Sequence, residues 1–265
     1  MKCNAHLDAS VRPVSVALDG PSLLVRIAED AAGRLPFGRI GAVVLRGPVR
    51  LEPEVVPALL RAGIAVTWLG TCGRNLGSAF PTVPARTDLA ALLDDAEDRP
   101  NWPQRLDSWR SAEQRLAVVR TLVGLGLPWR DLRPGLVRRR LLRLLDERIG
   151  DAPPGGDLLW TRLRALGDIR VLHSLAEDGV GPRFCGRRGD EADPVGAVQE
   201  LVAWSLWPIA LETAAYLRDH AAKHRDEARL QRRIATQIEA RAELLDRRTA
   251  RLLASLRRTL REFLR

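Results

Sequence analysis

The chain changes its pattern once, near residue 105, and this change limits the folds open to it. From Leu106 to Arg265, leucine, alanine and arginine recur every three or four residues, which is typical of amphipathic helices. Residues 14–81 instead contain short apolar runs bounded by glycine and proline, which is typical of strands and turns. A length of 265 residues suits one large or two modest domains. We therefore predict an α+β protein with an N-terminal β-rich domain followed by a C-terminal all-α domain.

Several elements of the β-rich part can be placed. The runs 14–18 and 23–27 flank the turn Asp19-Gly20-Pro21-Ser22, so they predict a hairpin. The apolar runs 42–45 and 64–69 predict buried strands, and between them a helix is expected to end at Gly63. A glycine-rich hairpin should follow residue 69.

Prolines and an acidic stretch at 94–98 mark residues 85–104 as the best linker candidate. The predicted domains are therefore 1–84, a β-rich dimerisation domain, and 105–265, an α-helical DNA-binding domain. Within the latter, the periodicity predicts helices at 104–123, 135–149, 157–178 and 194–219. A single helix of roughly 57 Å should then run from about 225 to 263, with an apolar stripe formed by Leu230, Ile234, Ile238, Leu245, Leu252, Leu256, Leu260 and Phe263.

The charge of the chain points to an anionic partner. The formal net charge is +9, and lysine occurs only at Lys2 and Lys223, so arginine supplies nearly all of the 42 basic residues. Arginine presents a planar fork that fits phosphate oxygens, which favours nucleic acid as the partner. The candidate DNA-binding residues lie in arginine clusters of the second half: Arg138, Arg139, Arg140, Arg187, Arg188, Arg232, Arg233, Arg247 and Arg248.

Two alternative interpretations weaken the case from charge. A GC-rich genome raises the arginine content, and any one cluster can be a solvated helix face whose ion pairs each contribute little. Tryptophans are a further candidate for stacking on exposed DNA bases, although spacing favours the core for Trp204 and Trp207. All but one of the tryptophans follow residue 100: Trp102, Trp109, Trp129, Trp160, Trp204 and Trp207.

Other function classes find no support. The three cysteines are far apart and form no CxxC pair, so neither a disulfide framework nor a cysteine-based zinc site is expected. No apolar run reaches the ~18 residues of a membrane span. The first twenty residues lack the pattern of a secretory signal. We expect a cytoplasmic protein without a membrane partner.

An ordered set of short motifs runs through residues 18–81. It comprises Asp19-Gly20, Arg34 with Pro36, Gly47, Leu59 followed by Gly63-Ile64, Val66, Leu69, Gly73, Gly77 and Pro81. This succession resembles the N-terminal domain of the CRISPR adaptation integrases, the endonucleases that insert new spacers into CRISPR arrays. The segment from Phe184 to Arg188, followed by Asp193-Pro194-Val195, resembles a second motif of that family, with Gly196 where the family has asparagine.

The resemblance implies a divalent-metal site built from a glutamate, a histidine and an aspartate, binding Mg²⁺ or Mn²⁺ beside the attacked phosphate. The family histidine corresponds to His224, whereas the glutamate and the aspartate fall on Ala165 and Thr236. Asp168 and Glu239 lie one helical turn away and are candidate substitutes. The candidate catalytic residues are thus Asp168, His224 and Glu239, with His224 and Glu239 as metal ligands.

Three functions follow as hypotheses. We favour a catalytically impaired homologue of the spacer-acquisition integrase, acting in antiviral defence as a dimeric, DNA-binding architectural subunit. The resemblance implies a homodimer formed through the strand-rich domain, duplex or branched DNA, and a small ferredoxin-like adaptation partner. The second hypothesis is an active metal-dependent endonuclease and integrase with relocated ligands. The third is a protein-interaction scaffold that binds no nucleic acid.

Overall fold

A computed structural model describes residues 3–28, 30–71, 73, 75–81, 88–128, 131–180, 184, 192–220 and 227–265. The chain divides into two compact units. Unit 1 comprises Met1–Thr82 and His224–Glu239, and unit 2 comprises Val83–Lys223 and Ala240–Arg265. Strands lie in the N-terminal part and helices dominate the rest, so the predicted α+β class is confirmed.

Unit 1 contains two four-stranded sheets. Its strands are β1 (Cys3–Asp8), β2 (Val14–Leu18), β3 (Ser22–Ile27), β4 (Gly33–Pro36), β5 (Ile40–Arg46), β6 (Arg50–Leu51), β7 (Ala65–Leu69) and β8 (Asn75–Ala79). In the first sheet, β1, β5 and β7 are parallel and β8 pairs antiparallel with β7 at the edge. The second sheet has the order β4-β3-β2-β6. Their packed faces form a core that includes Val16, Leu23, Val43 and Val66.

The expected elements of unit 1 are present. β2 and β3 pair antiparallel from Val14–Ile27 to Leu18–Leu23, which confirms the hairpin. Helix α1 (Val55–Arg61) is followed by Gly63, whose positive φ of 76° suits a residue without a side chain. All seven residues of β5 are buried, as expected for a strand covered on both faces. Strands β1, β4 and β6 were not predicted.

Unit 2 is helical throughout the part that the structure describes. Its helices are α2 (Asp88–Glu97), α3 (Trp102–Gly124), α4 (Pro134–Ile149), α5 (Gly156–Glu177), α6 (Pro194–Ala203) and α7 (Trp207–Asp219), and after α8 (Glu227–Ala240) the chain continues with α9 (Ala242–Leu264). Helix α2 occupies half of the segment 85–104 that the sequence favours as a linker. Leu89 and Leu93, one turn apart, are buried there. None of the described helices is both long enough and apolar enough to span a bilayer.

Two helix predictions were wrong in detail. The helix expected over 194–219 is interrupted by a 3-10 turn at Trp204–Leu206 and resumes with Pro208 in its first turn. The long helix expected from 225 to 263 breaks at Arg241, whose φ of −109° and ψ of 10° are not helical. The break separates α8, of 14 residues, from α9, of 23 residues. The first of these belongs to unit 1 up to Glu239, and the second belongs to unit 2.

Candidate nucleic-acid interface

Helix α4 carries an exposed arginine cluster in unit 2. Pro134 starts the helix, and Gly150, with a φ of 58°, ends it. Val137, Leu141 and Leu145 recur every four residues and are buried, which turns the intervening positions toward solvent. Those positions hold the exposed Arg138, Arg139, Arg140 and Arg143.

The arginines of this cluster are not neutralised by nearby acids. Arg138, Arg139 and Arg143 form no ion pair within 4.0 Å with any residue that the structure describes. Arg140 donates from Nη1 to the carbonyl of Pro128 at 3.4 Å. We call Arg138, Arg139, Arg140 and Arg143 the α4 arginine cluster. Four unneutralised guanidinium groups on one exposed helix make a strong local positive potential.

A cleft of about 950 Å³ adjoins this cluster within unit 2. Arg110, Arg138 and Arg164 line it. Arg110 pairs with Asp107 and lies 3.7 Å from Glu200, and Arg164 donates to both carboxylate oxygens of Asp168 at 3.0 and 3.1 Å. Arg138 is therefore the arginine of the cleft whose charge no described acid offsets at close range, and it links the cleft to the α4 arginine cluster.

The arginines of α9 are engaged to a greater extent. Arg257 lies 2.8 Å from Asp178 and Arg261 lies 2.6 Å from Asp88. Arg247 lies 3.8 Å from Glu243, one turn earlier on the same helix. The sequence gives the α4 and α9 clusters equal weight as DNA-binding candidates, but carboxylates already neutralise three of the α9 arginines.

Arg248 lies in a crowded cationic environment. Burial, with Arg120 and Arg251 as like charges and Glu113 as an opposing one, lowers the pKa of Arg248 below its usual value. Its Nη2 is buried and has no hydrogen-bond partner in the described part of the chain. Glu113 is itself engaged, because Ser255 donates to it at 2.7 Å. Arg248 is thus less accessible than its place in an Arg-Arg pair suggests.

The remaining arginines that the sequence suggests for DNA binding differ in location and burial. Arg187 and Arg188 lie outside the described residues. Arg232 and Arg233 lie on α8, in unit 1, where Arg232 is exposed and Arg233 is partly buried.

The described tryptophans after residue 100 are core residues. Trp102, Trp109, Trp160, Trp204 and Trp207 are all buried, and Trp129 lies outside the described residues. Trp160 and Trp207 stack on each other with ring centroids 3.8 Å apart. The burial of Trp204 and Trp207 agrees with the core position that their spacing favours, and Trp102, Trp109 and Trp160 are likewise covered by the protein rather than open to DNA bases.

The candidate catalytic carboxylates each have a partner within their own unit. In unit 2, Asp168 is bound by Arg164, as described above. Its burial outweighs the neighbouring cation and raises the pKa of Asp168 from 3.8 to about 6. In unit 1, Glu239 accepts from His6 Nε2 at 3.4 Å. His224 lies outside the described residues.

The described residues do not fit the metal centre that the sequence resemblance implies. Ala165 is buried and has no ligand atom, and the hydroxyl of Thr236 donates to the carbonyl of Arg232 at 2.8 Å. The metal ligands that Mg²⁺ prefers are oxygen donors in an octahedral arrangement. Within the described part of the chain, no three histidine, cysteine, aspartate or glutamate side chains come together as a metal-binding group.

The second motif of the resemblance has a clear structural role. Asp193 precedes α6, and its Oδ1 accepts from the backbone nitrogen of Gly196 at 2.7 Å, which caps the helix. A Cβ at position 196 would lie 2.3 Å from Asp193 Oδ2. The glycine that departs from the family pattern therefore accompanies a carboxylate that closes tightly over the start of the helix.

Comparison with known proteins gives matches at the level of structure. No family model and no curated protein matches the chain. Among solved structures, a CAS1 protein from Thermotoga maritima is 13% identical, with 97% of each chain covered and a TM-score of 0.74. A casposase bound to an integration product is 12% identical, covering 89% of this chain and 81% of the casposase with a TM-score of 0.61.

A third structure, TtCas1 in complex with DNA, is 15% identical, covering 97% of this chain and 91% of that chain, with a TM-score of 0.62. These matches extend over almost the whole chain at low sequence identity. They show that both parts of the molecule, strand-rich and helical, follow one known fold.

Proposed function

We propose that this chain, which has the fold of the Cas1 proteins, is a divergent member of the CRISPR adaptation integrase family in antiviral defence. It binds DNA and acts as a dimeric architectural subunit with impaired catalysis. The observation that carries the proposal is the α4 arginine cluster, an exposed cationic surface on that fold. The DNA and the integration product present in two of the similar structures support the choice of ligand.

The geometry of the cluster suits a phosphate backbone. Arg139 and Arg143 are four residues apart on one face of α4, which corresponds to about 6 Å along a helix axis. One strand of duplex DNA carries a charge every ~3.4 Å along its own axis, so this distance matches about two phosphates. Each guanidinium can donate two parallel hydrogen bonds to one phosphate group. Such contacts position DNA without reading its sequence.

Replacing arginines of the cluster should weaken DNA binding specifically. The triple variant Arg138→Gln, Arg139→Gln and Arg143→Gln loses three charges that no described acid neutralises. Because each phosphate contact contributes about 0.9 to the slope of log affinity against log salt, the slope should fall by about 2.7. Titration of labelled duplex DNA at several salt concentrations measures this slope.

The matched control is the triple variant Arg133→Gln, Arg241→Gln and Arg261→Gln. It removes the same net charge from arginines that pair with Asp131, Glu212 and Asp88 at 2.7, 2.7 and 2.6 Å. Its salt slope should stay close to that of the unmodified protein. Equal losses in both variants would contradict a role specific to α4. No binding by the unmodified protein at ~50 mM salt, where phosphate contacts are strongest, would favour the scaffold hypothesis.

Impaired catalysis is the second part of the proposal. Ala165 and Thr236 stand where the resemblance implies carboxylates, and Asp168 and Glu239 are bound by Arg164 and His6. We therefore expect no nicking of supercoiled plasmid with Mg²⁺ or Mn²⁺ under conditions where DNA is bound. Metal-dependent nicking that disappears in both His224→Ala and Glu239→Gln would contradict this expectation and establish the active alternative. Gel analysis of plasmid topology gives the readout.

A further inference from the structure

Beside the α4 arginine cluster lies a groove of about 770 Å³, which we call the α4 groove. The apolar residues that line it are Leu122, Pro128, Leu136, Val137 and Leu142. Leu122 and Val137 are buried. Leu136 and Leu142 keep part of their surface in solvent and Pro128 is exposed. These last three residues present an apolar surface that a ligand can cover.

The polar part of the α4 groove is positively charged. Arg139, Arg140 and Arg143 line it and are exposed. Arg139 and Arg143 form no ion pair with the residues that the structure describes. Asp131 also lines the groove, but its Oδ2 accepts from Arg133 Nη2 at 2.7 Å, so its charge is already offset. The groove therefore complements a ligand that is both acidic and apolar.

A DNA duplex uses only one half of this chemistry. It presents its phosphates to a protein surface, and these contacts leave Leu136 and Leu142 in water. Removing apolar surface from water is favourable. A ligand with an apolar face next to its negative charges gains from both halves of the groove, which favours a protein segment over a duplex.

The spacing of the lining residues favours a helical segment. Leu136, Arg139 and Arg143 are separated by three and four residues, so they form one stripe along α4. A second helix that lies along this stripe meets an apolar side chain and then two positive charges about 6 Å apart. Acids one turn apart on that helix have the same separation, and pairs of this kind decide which helices associate in coiled coils.

We propose that the α4 groove docks an acidic amphipathic helix of a partner protein. The apolar face of this helix covers Leu136, Leu142 and Pro128. Its acids pair with Arg139 and Arg143. Because both arginines belong to the α4 arginine cluster, a docked helix excludes DNA from α4, and this second part rests on the proposed function. The partner thus regulates when the chain holds DNA.

The probe is a fluorescent peptide of about 21 residues, long enough to form a helix, with leucines at helical spacing and glutamates between them. A peptide of the same composition in scrambled order has the same charge but no apolar face. Fluorescence anisotropy with the full chain measures both. The amphipathic peptide should bind at least about tenfold more tightly, a difference of about 1.4 kcal/mol. Arg139→Gln should weaken its binding.

Substitutions at leucines separate the groove from the arginines. Leu136→Gln should weaken peptide binding by about tenfold, because it removes apolar surface from the contact, and should leave duplex affinity unchanged. Leu142→Gln should have the same two effects. The matched control is Leu244→Gln on α9, where the leucine is 49% exposed and does not line the groove. Its peptide affinity should stay within about twofold of that of the unmodified protein.

Competition tests the second part of the proposal. Labelled duplex is bound first, and the amphipathic peptide should release it, so that the apparent dissociation constant of the duplex rises with peptide concentration. Simultaneous binding of peptide and duplex would overturn the exclusion. If the protein binds no DNA at all, the proposed function fails, whereas the peptide titration still decides whether the groove docks a helix.

Three results would overturn the docking itself. These are no binding of the amphipathic peptide at about 1 mM, equal affinities for the two peptides, and equal losses in Leu136→Gln and Leu244→Gln. Single-stranded oligothymidylate provides a further comparison. If Leu136→Gln weakens the binding of this strand and not that of the peptide, the groove takes unpaired bases and the proposal is wrong.

Discussion

Asp168 shows how burial and a neighbouring charge compete at a single residue. Arg164 binds both of its carboxylate oxygens, which by itself would lower the pKa. Burial has the larger effect and raises the pKa from 3.8 to about 6. The ionised form is therefore less favourable in the folded chain than in the unfolded chain. The sequence made this residue a candidate catalytic residue, but in the structure it is the acidic half of an ion pair with Arg164.

The raised pKa gives a testable pH dependence. Between pH 4 and 6 the folded chain holds the proton on Asp168 and the unfolded chain releases it, so this group's contribution to the free energy of unfolding decreases as pH rises. Asp168→Asn lacks this titration. The stability of the unmodified protein relative to this variant should fall by about 2–3 kcal/mol from pH 4 to pH 7. Urea unfolding of both proteins at each pH measures the difference.

The difference between the free energies of unfolding of the two proteins does not contain the titration of the other carboxyl groups, provided that the substitution leaves them unaffected. A difference that stays constant with pH would show that the ion pair with Arg164 offsets burial, and a difference that increases with pH would show that the ion pair outweighs burial.

The candidate DNA-binding arginines could be found in the sequence but not ranked. Arginine runs at 138–140 and 247–248 look alike as letters. Ranking them requires knowing which acids come close in space: Asp178 and Asp88 neutralise Arg257 and Arg261 from 79 and 173 positions away along the chain. Local patterns contain no information on such distant pairs. The partial burial of Arg248 near Arg120 and Arg251 likewise cannot be predicted from the local sequence.

At the level of elements, the spacing of apolar residues predicted whether a segment is a helix or a strand better than it predicted where a helix is interrupted. The hairpin of β2 and β3, strand β5 and helices α3 to α5 follow directly from apolar spacing. The break between α8 and α9 does not, because Ala240, Arg241 and Ala242 all favour helix and the apolar stripe continues through them. Strand β1 did carry a signal, the alternation of Ala5 and Leu7 with polar neighbours, but it is short and precedes the first strong turn.

Edge strand β8 supports a prediction about assembly. The resemblance implies a homodimer formed through the strand-rich domain, and β8 ends its sheet with Leu76 69% exposed. Unpaired edge strands with exposed apolar residues promote association. Leu76→Lys should therefore shift the protein from dimer to monomer, as measured by light scattering after size-exclusion chromatography.

Leu116→Lys is the control for that substitution. Leu116 lies on α3 in unit 2 and is 49% exposed, so the same charge is added at a helix surface. A dimer that persists in Leu76→Lys, or that is lost equally in both variants, would argue against an interface at β8.

At the scale of the whole molecule, unit 1 is discontinuous in sequence. The sequence predicts a self-contained domain over 1–84, whereas the compact unit also includes residues 224–239. Leu230, Ile234 and Ile238 of α8 are almost completely buried. A break in composition marks where one kind of secondary structure gives way to another. It does not show that a later helix returns to pack with the earlier strands.

A fragment of residues 1–84 is therefore expected to be incomplete. It should unfold with little cooperativity and bind a hydrophobic dye, because Leu7, Val44 and Leu69, which line a cavity together with α8, lose the cover of that helix and are exposed to water. Joining residues 227–241 to it through a Gly/Ser linker should restore a sharp thermal transition. Equal transitions for the fragment and the fusion would show that α8 is dispensable for folding of the strands.

The discontinuity also affects how the protein emerges during its synthesis. Synthesis of the strands of unit 1 ends at about residue 82, but synthesis of the helix that completes the unit begins at residue 227. At roughly 5–20 residues per second, synthesis of the chain between the strands and α8 takes on the order of ten seconds. Throughout this interval an apolar surface stays uncovered, and the newborn polypeptide is then most dependent on chaperones.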